Sequence, residues 1–313
     1  MIKLSFRKIS QLVEIQTKLA SIIPFLLGTV YVIYRYNKFN ILNFFIMFIS
    51  LLAFDMATTA INNYIDNKKS SQTLLFKYGI NESTVLFTIF LLITIAIVFG
   101  VLLTINTNII VLIIGTISFS VGILYTFGPV PISRMPLGEL FSGLFMGFII
   151  IFLSIYIHIY DTSIITFVYT KNILSLSINI IEIIYIFLFS LPAIIGIANI
   201  MFANNICDVE EDITNDRFTL PYYLGKVMSH RLFKLSYYIG YADIFILVIL
   251  KVIPLASLLI LLTYILVNKN ITLFAQRPMK SETFILSVKN FVLMNGLQII
   301  IMGISASIPK INA

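Results

Sequence analysis

Stretches of about twenty apolar residues, each closed by a short polar segment, recur along almost the whole chain, and a helix of that length crosses roughly 30 Å of bilayer hydrocarbon. Nine such stretches can be marked, at residues 16–35, 41–63, 84–104, 108–126, 138–158, 181–203, 230–250, 252–268 and 284–307. They predict an all-α, polytopic membrane protein of about nine transmembrane helices, in a single domain over residues 1–313. Tyr237 to Val267 is one long, mostly apolar run interrupted at Lys251 and Pro254. Proline removes a helix hydrogen bond, so a tight turn between two spans is expected there and not one very long helix. The first twenty residues are amphipathic and mixed in charge, without the compact apolar core and small-residue cleavage site of a signal peptide, so no cleaved segment is expected.

Composition sharpens this picture. Hydrophobic residues make up 59% and charged residues 11% of the 313, against about 25% charged in soluble domains, and the mean hydropathy is +1.01. A soluble globular protein is excluded. The net charge of +7 comes from 21 Lys and Arg that lie between apolar runs and form no single basic stripe, so no nucleic-acid partner is expected. With the N-terminus in the cytoplasm, fifteen of the basic residues, Lys18 among them, fall on inner segments and five on outer ones, a positive-inside bias. The expected location is the cell membrane, multi-pass, with the polar loops 64–82 and 204–229 on the cytoplasmic side. The single cysteine, Cys207, excludes an intrachain disulfide.

The chain has 14 acidic residues, and five of them, Asp208, Glu210, Glu211, Asp212 and Asp216, crowd into nine positions after the sixth span. On a continuing helix Asn204, Asp208, Glu211 and Asp212 fall at i, i+4, i+7 and i+8 and project from one face. A solvated loop that ends a helix would also look acidic. The second observation is a repeat: Asn62-Asn63-Tyr64-Ile65-Asp66 ends the second span and Asn204-Asn205-Ile206-Cys207-Asp208 ends the sixth, 142 positions apart. Both copies end on the same membrane face, with four spans separating them. This suggests two parallel four-helix repeats around a central cavity, plus an extra helix.

Carboxylate and amide oxygens are hard ligands that suit Mg2+, which bridges one or two carboxylates to phosphate oxygens. The candidate metal ligands are Asn62, Asp66, Asp208 and Asp212. Basic and amide groups nearby, Lys68, Lys69, Arg134, Asn204, Arg217 and Lys226, are candidates to bind the phosphates, as is Lys77. An apolar channel behind such a site would hold an isoprenoid tail.

These residues resemble the UbiA superfamily of intramembrane prenyltransferases, and more narrowly its branch acting on 1,4-dihydroxy-2-naphthoate in menaquinone synthesis. That family carries N-x-x-x-D-x-x-x-D and D-x-x-x-D motifs on the second and sixth of nine helices; Asn62 and Asp66 match the first, Asp208 and Asp212 the second. Similar segments are Leu124-Tyr125-Thr126-Phe127-Gly128-Pro129-Val130-Pro131-Ile132, the run Gly138 to Gly147, and Arg217-Phe218-Thr219-Leu220-Pro221. The first motif departs from the pattern, since no acid follows Asp66 before Glu82, and Cys207 stands where the naphthoate branch often has a basic residue. The resemblance implies Mg2+-assisted ionisation of a polyprenyl diphosphate and capture of the carbocation by an aromatic quinone precursor, with loss of the ring carboxylate. Membrane lipid is the surrounding partner, and no obligate protein partner is inferred. Other aromatic acceptors, 4-hydroxybenzoate, homogentisate or haem, would use much the same diphosphate site, and a transporter with intramembrane acids is the alternative from another class.

Five further residues have two readings each. Asp55 shares a helical stripe with Thr59, Asn62 and Asp66, so it either meets the acceptor as a catalytic group or hydrogen-bonds a neighbouring helix. Glu139 either caps a helix N-terminus or points at a cationic or metal-bound group. Tyr125, like Tyr64, lies beside a motif and offers an aromatic face to a carbocation, or packs. Asp243, within the seventh span, has no motif beside it.

Overall fold

The computed structural model describes residues 6–69, 80–126, 131–162 and 164–308. Its helices are α1 (Phe6–Leu12), α2 (Leu19–Tyr36, led in by a single turn at Ile15–Lys18), α3 (Ile41–Lys69), α4 (Glu82–Asn106), α5 (Ile109–Thr126), α6 (Gly138–Ile159), α7 (Ile180–Thr214), α8 (Leu220–Ile249), α9 (Leu255–Gln276) and α10 (Ile285–Ser307). Eight are long and apolar enough to cross a membrane, and Ile109–Tyr125 is a shorter apolar helix. They fall on the nine expected spans. The seventh and eighth are parted by the expected turn: Lys251 takes a left-handed φ of 56°, and Lys251 and Val252 donate back to the carbonyls of Val248 and Leu247 at 3.0 Å each, which satisfies the exposed end of α8.

Two elements lie outside the expectation. Residues between α6 and α7 form an antiparallel hairpin, β1 (Ile165–Thr170) and β2 (Ile173–Ile178). The middle of α6, Gly143–Ile149, is π-helical.

The chain divides into two compact units. One comprises Met1–Ile22 and Ile41–Pro131; the other comprises Ile23–Asn40 and Ile132–Ala313. Each carries one copy of the N-N-x-x-D frame.

Between membrane helices the lipid is as apolar as the side chains, so association rests on close packing and hydrogen bonds. In the first unit Ser50 Oγ donates to the carbonyl of Ala96, 2.8 Å away, joining α3 to α4, and the Phe54 ring stacks on Phe119 of α5 with centroids 3.9 Å apart. In the second unit Ser154 Oγ of α6 donates to the carbonyl of Phe25 at 2.6 Å. Gly147 of α6 lies so close to α7 that a Cβ there would stand 2.6 Å from the Cα of Ile194.

That approach gives a prediction. Gly147→Ala forces two backbones apart and destabilises the protein by about 1–3 kcal/mol, read as a lower thermal unfolding midpoint in detergent. Gly115→Ala, where the added methyl meets nothing within 4 Å, leaves the midpoint unchanged or raises it.

Candidate active site

At 1.5 Å per residue the 35 residues of α7 extend about 52 Å, well past the roughly 30 Å of hydrocarbon. The helix therefore carries its acidic tail out of the membrane. Within that tail Asn205 and Asp212 are buried, Asn204 and Asp208 half-buried, and Glu210, Glu211 and Asp216 exposed. Glu211, expected on the same face as Asp208 and Asp212, turns to solvent instead. Each residue advances about 100°, so Asp208, Asp212 and Asn205 lie about 40°, 80° and 100° from Asn204 in one direction and Glu211 about 20° in the other. The sheltered stripe is Asn204, Asn205, Asp208 and Asp212.

Every acid in the stripe is held by a cation. Lys280, in the turn after α9, reaches Asp208 Oδ2 at 2.5 Å. Arg217 Nε lies 3.4 Å from Asp212 Oδ1, and Thr219 Oγ1 donates to Asp212 Oδ2 at 3.5 Å. The end of α7 explains the second pair. Asp216 adopts a left-handed φ of 53°, Asp216 N–H donates to the carbonyl of Ile213 and Arg217 N–H to that of Asp212, at 3.2 and 2.9 Å. This helix-terminating fold turns the chain back so that Arg217 stands beside Asp212. Phe218 N–H donates in turn to the carbonyl of Arg134 at 3.2 Å, which ties the half-buried Arg134 turn (Ile132–Arg134) to the same loop. Lys226 is exposed, next to Gly225, whose φ of 69° interrupts α8.

Glu139, in the first turn of α6, is buried. Its Oε1 accepts from Asn205 Nδ2 at 2.8 Å, while Oε2 is buried with no hydrogen-bond partner. A matching device occurs in the first unit: buried Asn63 donates to Glu14 Oε1 at 3.1 Å and to the carbonyl of Leu12 at 2.9 Å. In each N-N-x-x-D frame the second asparagine is pinned to a glutamate, and the first, Asn62 or Asn204, stays half-buried. The helix α3 runs on through Asp66, Lys68 and Lys69, whose side chains lie outside the described residues, as do Lys77 and Phe127 to Val130.

Asp55 makes the helix-to-helix contact of its two readings. Its Oδ1 accepts from Lys18 Nζ at 2.8 Å and its Oδ2 from Ser21 Oγ at 2.6 Å. Lys18 Nζ also donates to Thr59 Oγ1 at 2.6 Å. Lys18, counted above with the inner-loop cations, is thus a buried residue inside the first span. Tyr125 is half-buried at the end of α5, and Tyr64 donates to Glu82 Oε1 at 2.6 Å. Asp243 is buried within α8, its Oδ2 without a hydrogen-bond partner.

Among the described residues no three His, Cys, Asp or Glu side chains gather into a ready metal cage. With Asn205 tied to Glu139, the stripe on α7 leaves the amide of Asn204 and two carboxylates, hard oxygen donors that fit a cation completing its shell with phosphate and water. Sequence reasoning did not single out Lys280, Lys18 or the two asparagine–glutamate ties. Lys280 carried one signal, a basic residue in a loop assigned to the same face as the acids.

Two predictions follow from these contacts. Lys18→Met strands a buried carboxylate and costs about 3–5 kcal/mol, whereas the double variant Lys18→Met with Asp55→Leu recovers most of that stability; thermal unfolding of the four corners of the cycle measures it. Glu139→Ala leaves Asn205 Nδ2 buried without its acceptor and costs about 1–3 kcal/mol by the same assay.

The UbiA prenyltransferase family profile matches residues 21–290. The chain is 32% identical over 239 residues to a 1,4-dihydroxy-2-naphthoate octaprenyltransferase of Bacillus subtilis (strain 168), covering 74% of this chain and 70% of the relative. Among solved structures it is similar to a UbiA homolog from Archaeoglobus fulgidus, at 12% identity and a TM-score of 0.66, covering 96% of this chain and all of that one. The same homolog bound to Cd2+ aligns at 11% identity, TM-score 0.64 and the same coverage.

Proposed function

This chain belongs to the UbiA prenyltransferase family, and we propose that it transfers a polyprenyl group from an allylic diphosphate to 1,4-dihydroxy-2-naphthoate, with loss of the ring carboxylate, in a magnesium-dependent reaction. The observation that carries this reading is the sheltered acid stripe on α7 with one cation against each acid. Such a stripe is built to exchange partners. Bound there by Asn204, Asp208 and Asp212, a divalent cation supplies electrostatic stabilisation to the charge growing on the leaving diphosphate. Lys280 and Arg217, released from their carboxylates, then turn to the phosphate oxygens. Arg134 and Lys226 add positive charge from the loops beside them.

Asn62 and Asp66 take the same part for the first motif, where a metal would rest on those two residues alone, and Lys68 or Lys69 shares the contacts to the phosphate oxygens. The C–O bond of the allylic diphosphate breaks with its electron pair on oxygen, the ring carbon that bears the carboxylate forms the new bond to the carbocation, and its bond to the carboxylate then breaks, releasing CO2 and returning that electron pair to the ring. Aromatic faces such as that of Tyr125 steady the cation in transit. The naphthoate acceptor is supported by the name of the 32% identical relative and by the run from Tyr125 to Gly147. The charge asymmetry of the loops supports a cell-membrane protein with its diphosphate site facing the cytoplasm.

Purified protein offered one long-chain polyprenyl diphosphate with Mg2+ is expected to prenylate dihydroxynaphthoate and leave 4-hydroxybenzoate untouched. The reverse preference sinks the acceptor assignment, and no turnover with any quinone precursor sinks the reading as a whole. Asp208→Ala and Asp66→Ala are each expected to abolish nearly all turnover with helical content unchanged by circular dichroism.

A further inference from the structure

The hairpin β1–β2 has two unlike faces. Its register sets Ile165 opposite Ile178, Phe167 opposite Leu176 and Tyr169 opposite Leu174, and strand alternation puts these six apolar positions on one side. The other side pairs Thr166 with Ser177, Val168 with Ser175 and Thr170 with Ile173; Thr166 and Ser177 hydrogen-bond through their hydroxyls. Lys171 and Asn172, both with positive φ at 44° and 68°, make the tight two-residue turn whose twist suits a hairpin. On the apolar side Leu176 is 57% and Ile178 46% exposed.

Three features identify what covers it. The hairpin joins the ends of two membrane-crossing helices, α6 and α7, so it stands at a membrane surface. Its apolar side runs on in sequence into Ile180, Ile181 and Ile184, the exposed start of α7, which faces lipid. The level of that surface is marked by Arg35, Tyr36 and Lys38: Arg35 pairs with Glu182 at 2.8 Å and lies over the Tyr185 ring, Tyr36 donates to Glu182 at 2.6 Å, and Lys38 pairs with Asp161 at 3.0 Å. Cations and tyrosines in this arrangement belong to the water–lipid boundary.

We propose that the hairpin is an interfacial membrane anchor: its apolar face lies on the acyl chains at the headgroup boundary, and Lys171 at its tip meets lipid phosphate. The depth follows from the backbone. Strand β2 has an unpaired edge, which the hydrocarbon interior does not tolerate but the hydrated headgroup layer does. Resting there, the hairpin holds the start of α7 at a set height.

The chain contains no tryptophan, so one introduced indole is a clean reporter in the full-length protein. Leu176→Trp and Ser177→Trp, on opposite faces, are placed in nanodiscs made with or without brominated acyl chains. The indole at 176 is expected to lose about two-thirds of its emission to brominated lipid and little to aqueous iodide, with the opposite pattern at 177. Ile178→Trp, on the same face as 176, repeats the measurement should the first variant elute as aggregate. Iodide quenching at 176 without bromine quenching overturns the proposal by putting the face in water. Protection from both quenchers that is lost when the protein is diluted in lipid also overturns it, assigning the face to a second copy of the chain.

Discussion

A charge near hydrocarbon is costly unless another charge answers it, and that constraint organises the polar architecture described above. Asp55 is met by Lys18, Asp208 by Lys280, Asp212 by Arg217 and Glu182 by Arg35. The four pairs differ in what surrounds them. Lys18 and Asp55 have side chains only 4% and 14% exposed, with further hydrogen bonds from Ser21 and to Thr59; they join the lead-in of one helix to the middle of another and have nothing left to offer. Among the described residues Asp208 has a single ion-pair partner, Lys280, which is 59% exposed. A pair with one wet, flexible member and one sheltered acid is held together loosely enough for a phosphate and a cation to take it apart. Position and hydration separate the buried structural ion pair from the one assigned to the proposed reaction.

The two N-N-x-x-D frames share more than their spelling. In each, the second asparagine is buried and donates to a glutamate from an earlier segment, Glu14 in one unit and Glu139 in the other. Each bond fixes the rotation of its helix about the long axis, so the residues one position before and three after present a constant face. A helix end free to rotate would scatter its oxygens over a wide arc, and a metal–phosphate site needs them on one side. The repeated tie gives the repeated motif a physical reason: on the proposed reading it is a ligand set together with the peg that orients it.

Much of this was legible in the sequence, for reasons that differ from feature to feature. Hydrophobic length set the spans, because a bilayer imposes one thickness on every crossing helix. The paired motifs were legible because acids are rare in so apolar a chain, 14 among 313 residues, and the same asparagine-to-aspartate spacing occurs twice. Three features escaped. The alternation Ser175-Leu176-Ser177-Ile178 is a strand pattern, but it lies between two strongly apolar spans whose length dominates any reading of the region. Glu211 obeys the spacing rule yet falls beyond the edge of a face centred between Asp208 and Asp212, and spacing alone does not locate that centre. Lys18 and Lys280 look alike as positive-inside residues; only tertiary contact reveals that one is buried in a span and the other stands over Asp208.

Helix α7 connects the two ends of the second unit. Glu182, held by Arg35 and Tyr36, lies 26 residues before Asp208, about 39 Å along the axis. If Glu182 marks one headgroup boundary, Asp208 emerges just beyond the roughly 30 Å of hydrocarbon, inside the opposite headgroup layer. That is the depth at which a lipid-borne diphosphate sits, its charged head hydrated and its tail dissolved among acyl chains. A helix of ordinary length would leave its acids in hydrocarbon or fix its other end too deep. The 35 residues of α7 let one end rest at one membrane surface while the other carries its acids to the opposite one, where on the proposed reading the donor is bound without leaving the bilayer.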